Sequence, residues 1–279
     1  MKIGPDSKVF ISVSARPGRF GATVYAALFE RCCIDAVYLP RPAPVDAREI
    51  VAAIRGLDLA GCSVSSPHKT AIIEHLDRIT HEARTANAVN TITRDGAGQL
   101  VGACTDIDGI RGSLRDAGIT GERALIYGAG GVVGPAVVAL RSLGFTTLSV
   151  TARRVEAMEQ AAARWGLRAY SLDVQRPERF DLLINATPVG RSEGDAPDLI
   201  LALEQSVSLL DMTVSTMPTA IIDAARASGM RTVDGVSMCV HQIAAQAKLY
   251  LGEAAMGSIG VTEIEQIVRE HYLGHERSF

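Results

Sequence analysis

The sequence predicts an α/β protein built from two open strand-helix units in one chain. Two observations predict it. Short runs rich in β-branched and aliphatic residues alternate with segments of helical period, first over residues 9–76 and again from Glu122 onward. Between the two series the alternation breaks, with two short strand-like runs at 90–93 and 100–103 followed by a glycine-bounded helical stretch at 109–121. A third observation, a glycine cluster at 128–134, sits where a strand gives way to a helix in the second series.

In chain order, residues 9–13 read as a strand, 22–31 as a helix, 36–39 as a strand and 46–56 as a helix with Val51 and Ile54 apolar. Residues 59–64 form a third strand and 69–76 a third helix, an order that predicts a parallel sheet. Asp95-Gly96 between the strands at 90–93 and 100–103 reads as a hairpin turn. The helical stretch 109–121 reads as the crossover to the second series, whose later strands are 182–185, 208–211 and 231–234.

The glycine cluster points to chemistry. Leu125-Ile126-Tyr127 runs into Gly128-Ala129-Gly130-Gly131-Val132-Val133-Gly134 and then into Pro135-Ala136-Val137, a helical pattern. Glycines let a backbone approach a pyrophosphate, and a helix N-terminus offers unpaired N–H groups with partial positive charge. Gly128, Ala129, Gly130, Gly131, Val132 and Val133 are therefore candidate cofactor-binding residues, although Val133 stands where G-x-G-x-x-G has its third glycine. The next strand, 146–151, ends at Ala152-Arg153-Arg154, about twenty residues past the loop, where the adenosine ribose of a dinucleotide lies. An acid there would hold the ribose 2′-hydroxyl, whereas Arg153 and Arg154 suit a 2′-phosphate. NADP is favoured, with NAD as the alternative, since Glu156 follows closely and both arginines also fit a solvated helix start.

Composition excludes several classes. A net charge of −3 over 279 residues offers no basic field for nucleic acid. No apolar run reaches the roughly twenty residues of a membrane helix, and the N-terminus lacks the apolar core of a signal peptide. Five cysteines without metal-ligand spacing read as reduced thiols of a cytoplasmic protein, with no metal site expected and adjacent Cys32 and Cys33 as packing residues.

Several segments together resemble the shikimate dehydrogenase family. Ser63-Val64-Ser65-Ser66-Pro67-His68-Lys69 is similar to its Asn-Val-Thr-x-Pro-x-Lys signature. Ala88-Val89-Asn90-Thr91, Thr105-Asp106-Ile107-Asp108-Gly109, the glycine loop, Asn185-Ala186-Thr187-Pro188-Val189-Gly190, Asp211-Met212 and Asp234-Gly235-Val236-Ser237-Met238-Cys239-Val240-His241-Gln242 follow in the family's order. The resemblance implies a substrate-binding and catalytic domain at 1–107, completed by C-terminal helices at 241–279, and a Rossmann domain at 108–240. It also implies Lys69 and Asp106 as catalytic residues, Ser65, Asn90 and Gln242 as substrate ligands, and Thr187, Pro188, Met212 and Gly235 beside the cofactor. Read without it, Lys69 is a surface lysine and Asp106 a helix cap. A cationic lysine and a carboxylate are nonetheless what alcohol oxidation needs, to stabilise alkoxide charge and to position the hydroxyl.

Departures matter too. Where the family has Ser-x-Ser-Pro to hold the substrate carboxylate, this chain reads Gly18-Arg19-Phe20-Gly21. Ser12-Val13-Ser14 comes too early, and Arg19 or Arg16 can take a carboxylate instead. Cys104, Val214 and Ala152 replace the family's Asn, Tyr and Asn at three further positions. The expected activity is an NADP-dependent oxidoreductase of aromatic amino acid biosynthesis type, acting on a small cyclic hydroxy acid as a monomer or homodimer. Shikimate, quinate and another cyclic alcohol stay open as substrate. The alternative is a non-catalytic dinucleotide-binding regulator on the same fold.

Overall fold

The computed structural model describes residues 3–44, 46–172, 178–190, 197–257 and 259–273. The chain divides into two compact units, Met1–Thr105 with Ile243–Phe279, and Asp106–Gln242. These boundaries lie two residues from those read off the sequence, so Asp106 and Gln242 are the first and last residues of the second unit.

The first unit opens with β1 (Lys8–Ser14), α1 (Phe20–Arg31), β2 (Ala36–Pro42), α2 (Ala47–Gly56) and β3 (Gly61–Val64). It continues with β4 (Arg78–Ile79), α3 (His81–Ala86), β5 (Thr91–Arg94) and β6 (Leu100–Ala103). The sheet order is β2-β1-β3-β5-β6-β4. Here the expected parallel sheet is corrected, because β1 is parallel to β2 and β3 but β5 runs antiparallel to both β3 and β6. Residues 69–76, where the sequence predicts a helix, form only a 3₁₀ turn, Ala71–His75, with Ile72 fully buried, yet this segment joins β3 to β4, which run in the same direction. The reversal comes after β4, where the six residues of α3, ended by Asn87 at φ 47°, are too short to carry the chain back along the sheet. Strand β5 therefore returns antiparallel. The β5–β6 hairpin is also longer than an Asp-Gly turn. Asp95 Oδ1 accepts from the N–H groups of Ala97 and Gln99, both at 2.9 Å, and Gly98 rather than Gly96 takes positive φ (78°).

The second unit comprises α4 (Asp106–Asp116), β7 (Arg123–Tyr127), α5 (Val133–Ser142), β8 (Thr147–Thr151), α6 (Val155–Trp165), β9 (Arg168–Ala169) and β10 (Leu182–Asn185). It ends with α7 (Pro197–Glu204), β11 (Ser208–Asp211), α8 (Ala220–Ala227), β12 (Arg231–Val233) and α9 (Gly235–Leu251). The crossover helix thus runs from Asp106 to Asp116 and not over 109–121, stopping ahead of Gly118 at φ 62°. All six strands are parallel in the order β12-β11-β10-β7-β8-β9. Strand β7 is central, and Leu125, Leu183 and Leu209 of adjacent strands join Leu199 and Ile221 of α7 and α8 in one core cluster.

From Ile243 onward α9 belongs to the first unit, followed by α10 (Glu253–Met256) and α11 (Val261–Val268). Its Tyr250 ring lies 4.8 Å from Phe10 and 5.8 Å from Tyr25, and Tyr25 stacks on Tyr38 at 4.5 Å. The end of the chain thereby completes a core begun by its first forty residues. Among the described residues no helix is long and apolar enough to cross a membrane.

Candidate functional site

In the second unit the glycines of the loop have separate reasons. Gly128 ends β7 with φ at 127°, and a Cβ there would come within 2.8 Å of the Thr187 side chain. Neither reason applies to Gly130 or Gly131, whose φ is ordinary and whose Cβ positions meet nothing within 4 Å. Their smallness serves open space rather than packing. Helix α5 begins behind Val132 without a side-chain cap; Val133 N–H donates to the Gly130 carbonyl (3.1 Å) and Pro135 has no N–H, so the Gly134 N–H is the first-turn donor left for another acceptor.

A cleft of about 490 Å³ opens here. It brings together the expected Gly128, Ala129, Gly130, Arg153, Arg154, Thr187 and Pro188. Both arginines are exposed, whereas small apolar side chains such as Ala152, Ala157 and Val189 form the walls. Those three and Tyr127 were not singled out from sequence as cofactor contacts. Their signal, smallness beside a glycine loop, is too common to read. Gly131, Val132 and Val133 continue the loop into α5 without lining the cleft, and Met212 and Gly235 lie outside its lining as well.

A buried polar cluster holds the loops after β10 and β11. Asn185 Nδ2 donates to Asp211 Oδ1 (3.0 Å), and Asn185 Oδ1 accepts from the Thr187 hydroxyl (2.8 Å). Asp211 Oδ2 accepts from the Thr219 hydroxyl at 2.6 Å. Burial raises the Asp211 carboxyl above its ordinary range, against these hydrogen bonds, which lower it. Gly235 is required by packing, since a Cβ there would stand 2.3 Å from the Thr213 carbonyl oxygen. That close approach ties the start of α9 to the loop carrying Met212.

In the first unit Ser65 and Lys69 lie on the turn after β3. The Ser65 N–H donates to the Val13 carbonyl (2.9 Å) and the Lys69 carbonyl accepts from Val89 N–H (2.8 Å), which fixes both ends of the segment. Lys69 is half-buried and Ser65 exposed, and Lys69 precedes the 3₁₀ turn rather than opening a helix. Asn90 is buried, and its Oδ1 accepts from Thr105 N–H at 2.8 Å and from the Thr91 hydroxyl at 2.9 Å. Arg19 is the exposed residue preceding α1, with Arg16 also exposed. Ser12 bonds the Tyr38 hydroxyl, which also donates to Ser63 Oγ at 2.7 Å, so the first serine of the early Ser-x-Ser serves the protein interior. In the second unit Asp106 is the buried first residue of α4, and Gln242 is half-buried on α9. No cluster of side chains among the described residues has the make-up of a metal site.

Comparison with known proteins agrees with this layout. Residues 21–92 match the family model described as the shikimate dehydrogenase substrate binding domain. A shikimate dehydrogenase (NADP(+)) of Geobacter metallireducens is 37% identical over 232 residues, covering 77% of this chain and 81% of the relative. The chain belongs to the shikimate dehydrogenase family. A shikimate dehydrogenase-like protein of Haemophilus influenzae is 28% identical over 253 residues, covering 89% and 92% of the two chains. Among solved structures, the shikimate 5-dehydrogenase of Thermus thermophilus in complex with NADP(H) and shikimate superposes with a TM-score of 0.79 at 25% identity, over 95% of this chain and 99% of that one. A shikimate 5-dehydrogenase-like protein gives a TM-score of 0.80 at 26% identity, over 96% and 100%. Members of this family share the two-domain α/β fold described above, with the Rossmann unit carrying the glycine loop.

Proposed function

We propose that this chain is an NADP-dependent dehydrogenase that interconverts the secondary alcohol and ketone of a shikimate-like cyclic hydroxy acid. The observation that carries the reading is one cleft lined by Gly128-Ala129-Gly130, with the start of α5 next along that loop, and by two arginines. A pyrophosphate suits the first two, and a 2′-phosphate suits the third. Gly128, Gly130, Arg153 and Arg154 would hold the adenosine half of the cofactor, with Thr187 and Pro188 beside it. Met212 and Gly235 are assigned to the nicotinamide half. NADP supplies the hydride acceptor when bound.

The remaining chemistry belongs to side chains. The Lys69 ammonium is assigned to stabilise alkoxide charge as the hydroxyl proton leaves, and the Asp106 carboxylate to serve that proton. Asn90 has its oxygen occupied by protein donors, so it serves a substrate hydroxyl as a donor, with Gln242 and Ser65 as further ligands. Arg19 is assigned to the carboxylate. A non-catalytic regulator on this fold is not favoured, because both Lys69 and Asp106 are kept. All five cysteines are unbridged, which fits a reducing compartment, and we assign the enzyme to the cytoplasm.

The test is a panel of shikimate, quinate and related cyclic alcohols, followed by nicotinamide absorbance with NADP+ and NAD+. The expected result is turnover of at least one, with NADP+ preferred. Shikimate itself should stay below about 10⁴ M⁻¹s⁻¹ in kcat/KM, the lower end of the common enzyme range, because Gly18 and Gly21 carry no hydroxyl for its carboxylate. No turnover of any member in either direction would overturn the assignment.

A further inference from the structure

Asn90 poses a problem of orientation. A carboxamide presents an acceptor at one end and donors at the other, and only one end can face a substrate hydroxyl as a donor. One of its partners, the Thr105 N–H, is a fixed donor. Two more donors to its oxygen are hydroxyls, each with a single proton that can turn. Thr91 Oγ1 lies 2.9 Å from Asn90 Oδ1, 3.0 Å from Thr105 Oγ1 and 2.7 Å from Gln246 Nε2.

Gln246 decides which way that proton points. An amide nitrogen only donates, so Nε2 occupies a lone pair of Thr91 Oγ1 and turns the Thr91 proton toward Asn90 or Thr105. The Thr105 hydroxyl in turn lies 3.1 Å from the same Asn90 oxygen. Gln246 is itself oriented by the Tyr25 hydroxyl, which donates to Gln246 Oε1 at 2.9 Å. Burial keeps that phenol protonated, well above its ordinary pKa. Tyr25, Gln246, Thr91, Thr105 and Asn90 are all at most 5% exposed, so water does not scramble the relay. A flipped Gln246 amide would accept from Thr91 and withdraw that proton from Asn90.

We propose that Gln246 is a positioning residue that, through Thr91, holds Asn90 with its amide N–H groups turned to the substrate. The proposal rests on Asn90 being a substrate ligand. It explains why a buried glutamine stands one helical turn past Gln242 on α9, at a core position that an aliphatic residue would otherwise fill.

The test is steady-state kinetics with shikimate and NADP+ on Gln246→Met and Thr91→Val, both close in shape to the native residues. Each should raise KM for shikimate about 5- to 20-fold while kcat stays within about 3-fold and NADP+ affinity within about 2-fold. Thr91→Ser, which restores the hydroxyl, should return KM to the wild-type value. In an Asn90→Ala background Gln246→Met should have no further effect on KM, because the effect passes through Asn90. A KM effect that persists at full size in that background, or one matched by an equal loss of NADP+ affinity, would show a purely structural role and overturn the proposal. So would unchanged KM in both single variants while the wild type turns over. If the wild type does not oxidise shikimate at all, the reading of Asn90 as a shikimate ligand falls first, and this assignment falls with it.

Discussion

The two units handle polarity in opposite ways. In the second, recognition of the pyrophosphate is assigned to the backbone: a Cβ at Gly130 or Gly131 would meet nothing within 4 Å and α5 starts without a side-chain cap. In the first, recognition is assigned to side chains, and those are held by buried hydrogen bonds reaching from Tyr25 to Gln246. Helix α2 of that unit, unlike α5, starts on a side-chain cap, with Asp46 accepting from Arg48 N–H at 2.9 Å. The difference teaches that a backbone site is local in the chain, whereas a side-chain site is assembled from distant segments. The first kind is set by one motif and the second by an entire core.

That contrast can be broken by substitution. The largest effect is expected from Lys69→Ala and Asp106→Asn, which should lower kcat by about 10²–10⁴-fold while NADP+ affinity, measured by calorimetry, barely changes. Near-normal kcat in either variant would remove that residue from the chemistry. Next comes the pair Arg153→Ala and Arg154→Ala, for which titration should show NADP+ binding weakened about tenfold each and NAD+ binding unaffected. Equal losses for the two cofactors would mean that the arginines do not meet the 2′-phosphate.

The glycines sharpen the comparison further. Gly128→Ala should destabilise the fold by about 1–3 kcal/mol in denaturant unfolding, through strained φ and contact with Thr187. Gly130→Ala should leave stability within about 0.5 kcal/mol but cost NADP+ affinity about tenfold, because its Cβ projects only into the cleft. The smallest effect concerns Asp46, whose carboxyl is held at about 2 chiefly by its hydrogen bonds to the Arg48 side chain and N–H. A depressed folded value means stabilisation present above the unfolded pKa of about 3.9 and lost as pH falls toward about 2. Asp46→Asn should therefore lower Tm slightly near neutral pH, with the gap to wild type closing over that acid window. A gap of constant size across it would show that the charge contributes nothing.

The same contrast explains what the sequence discloses. Most of the parallel unit was legible because its inner strands are apolar runs with a glycine or polar break at the end, as at Tyr127-Gly128 and Asn185-Ala186, whereas the exposed Arg168–Ala169 pair that forms β9 gives no such signal. The mixed sheet was not, because nothing local announces that residues 69–76 collapse to a 3₁₀ turn and that β5 comes back antiparallel. Arginines at the end of β8 could be read from their spacing to the loop. The roles of Tyr25 and Gln246 could not, since they meet across 221 positions and each alone reads as an ordinary helix residue. Lys69 and Asp106 stood out only through resemblance to a family, as neither carries a spacing rule of its own.

The division of the chain also bears on how it is made. Asp106–Gln242 is one uninterrupted stretch, so its parallel sheet has all its strands in hand before the C-terminal segment is synthesised. The other unit stays open at Phe10 and Tyr25 until Tyr250 arrives from the far end of the chain. Its contacts span most of the polypeptide, which makes it the slower half to close. During synthesis the aromatic floor of the first sheet thus stays uncovered while the more than two hundred residues between Tyr25 and Tyr250 are added.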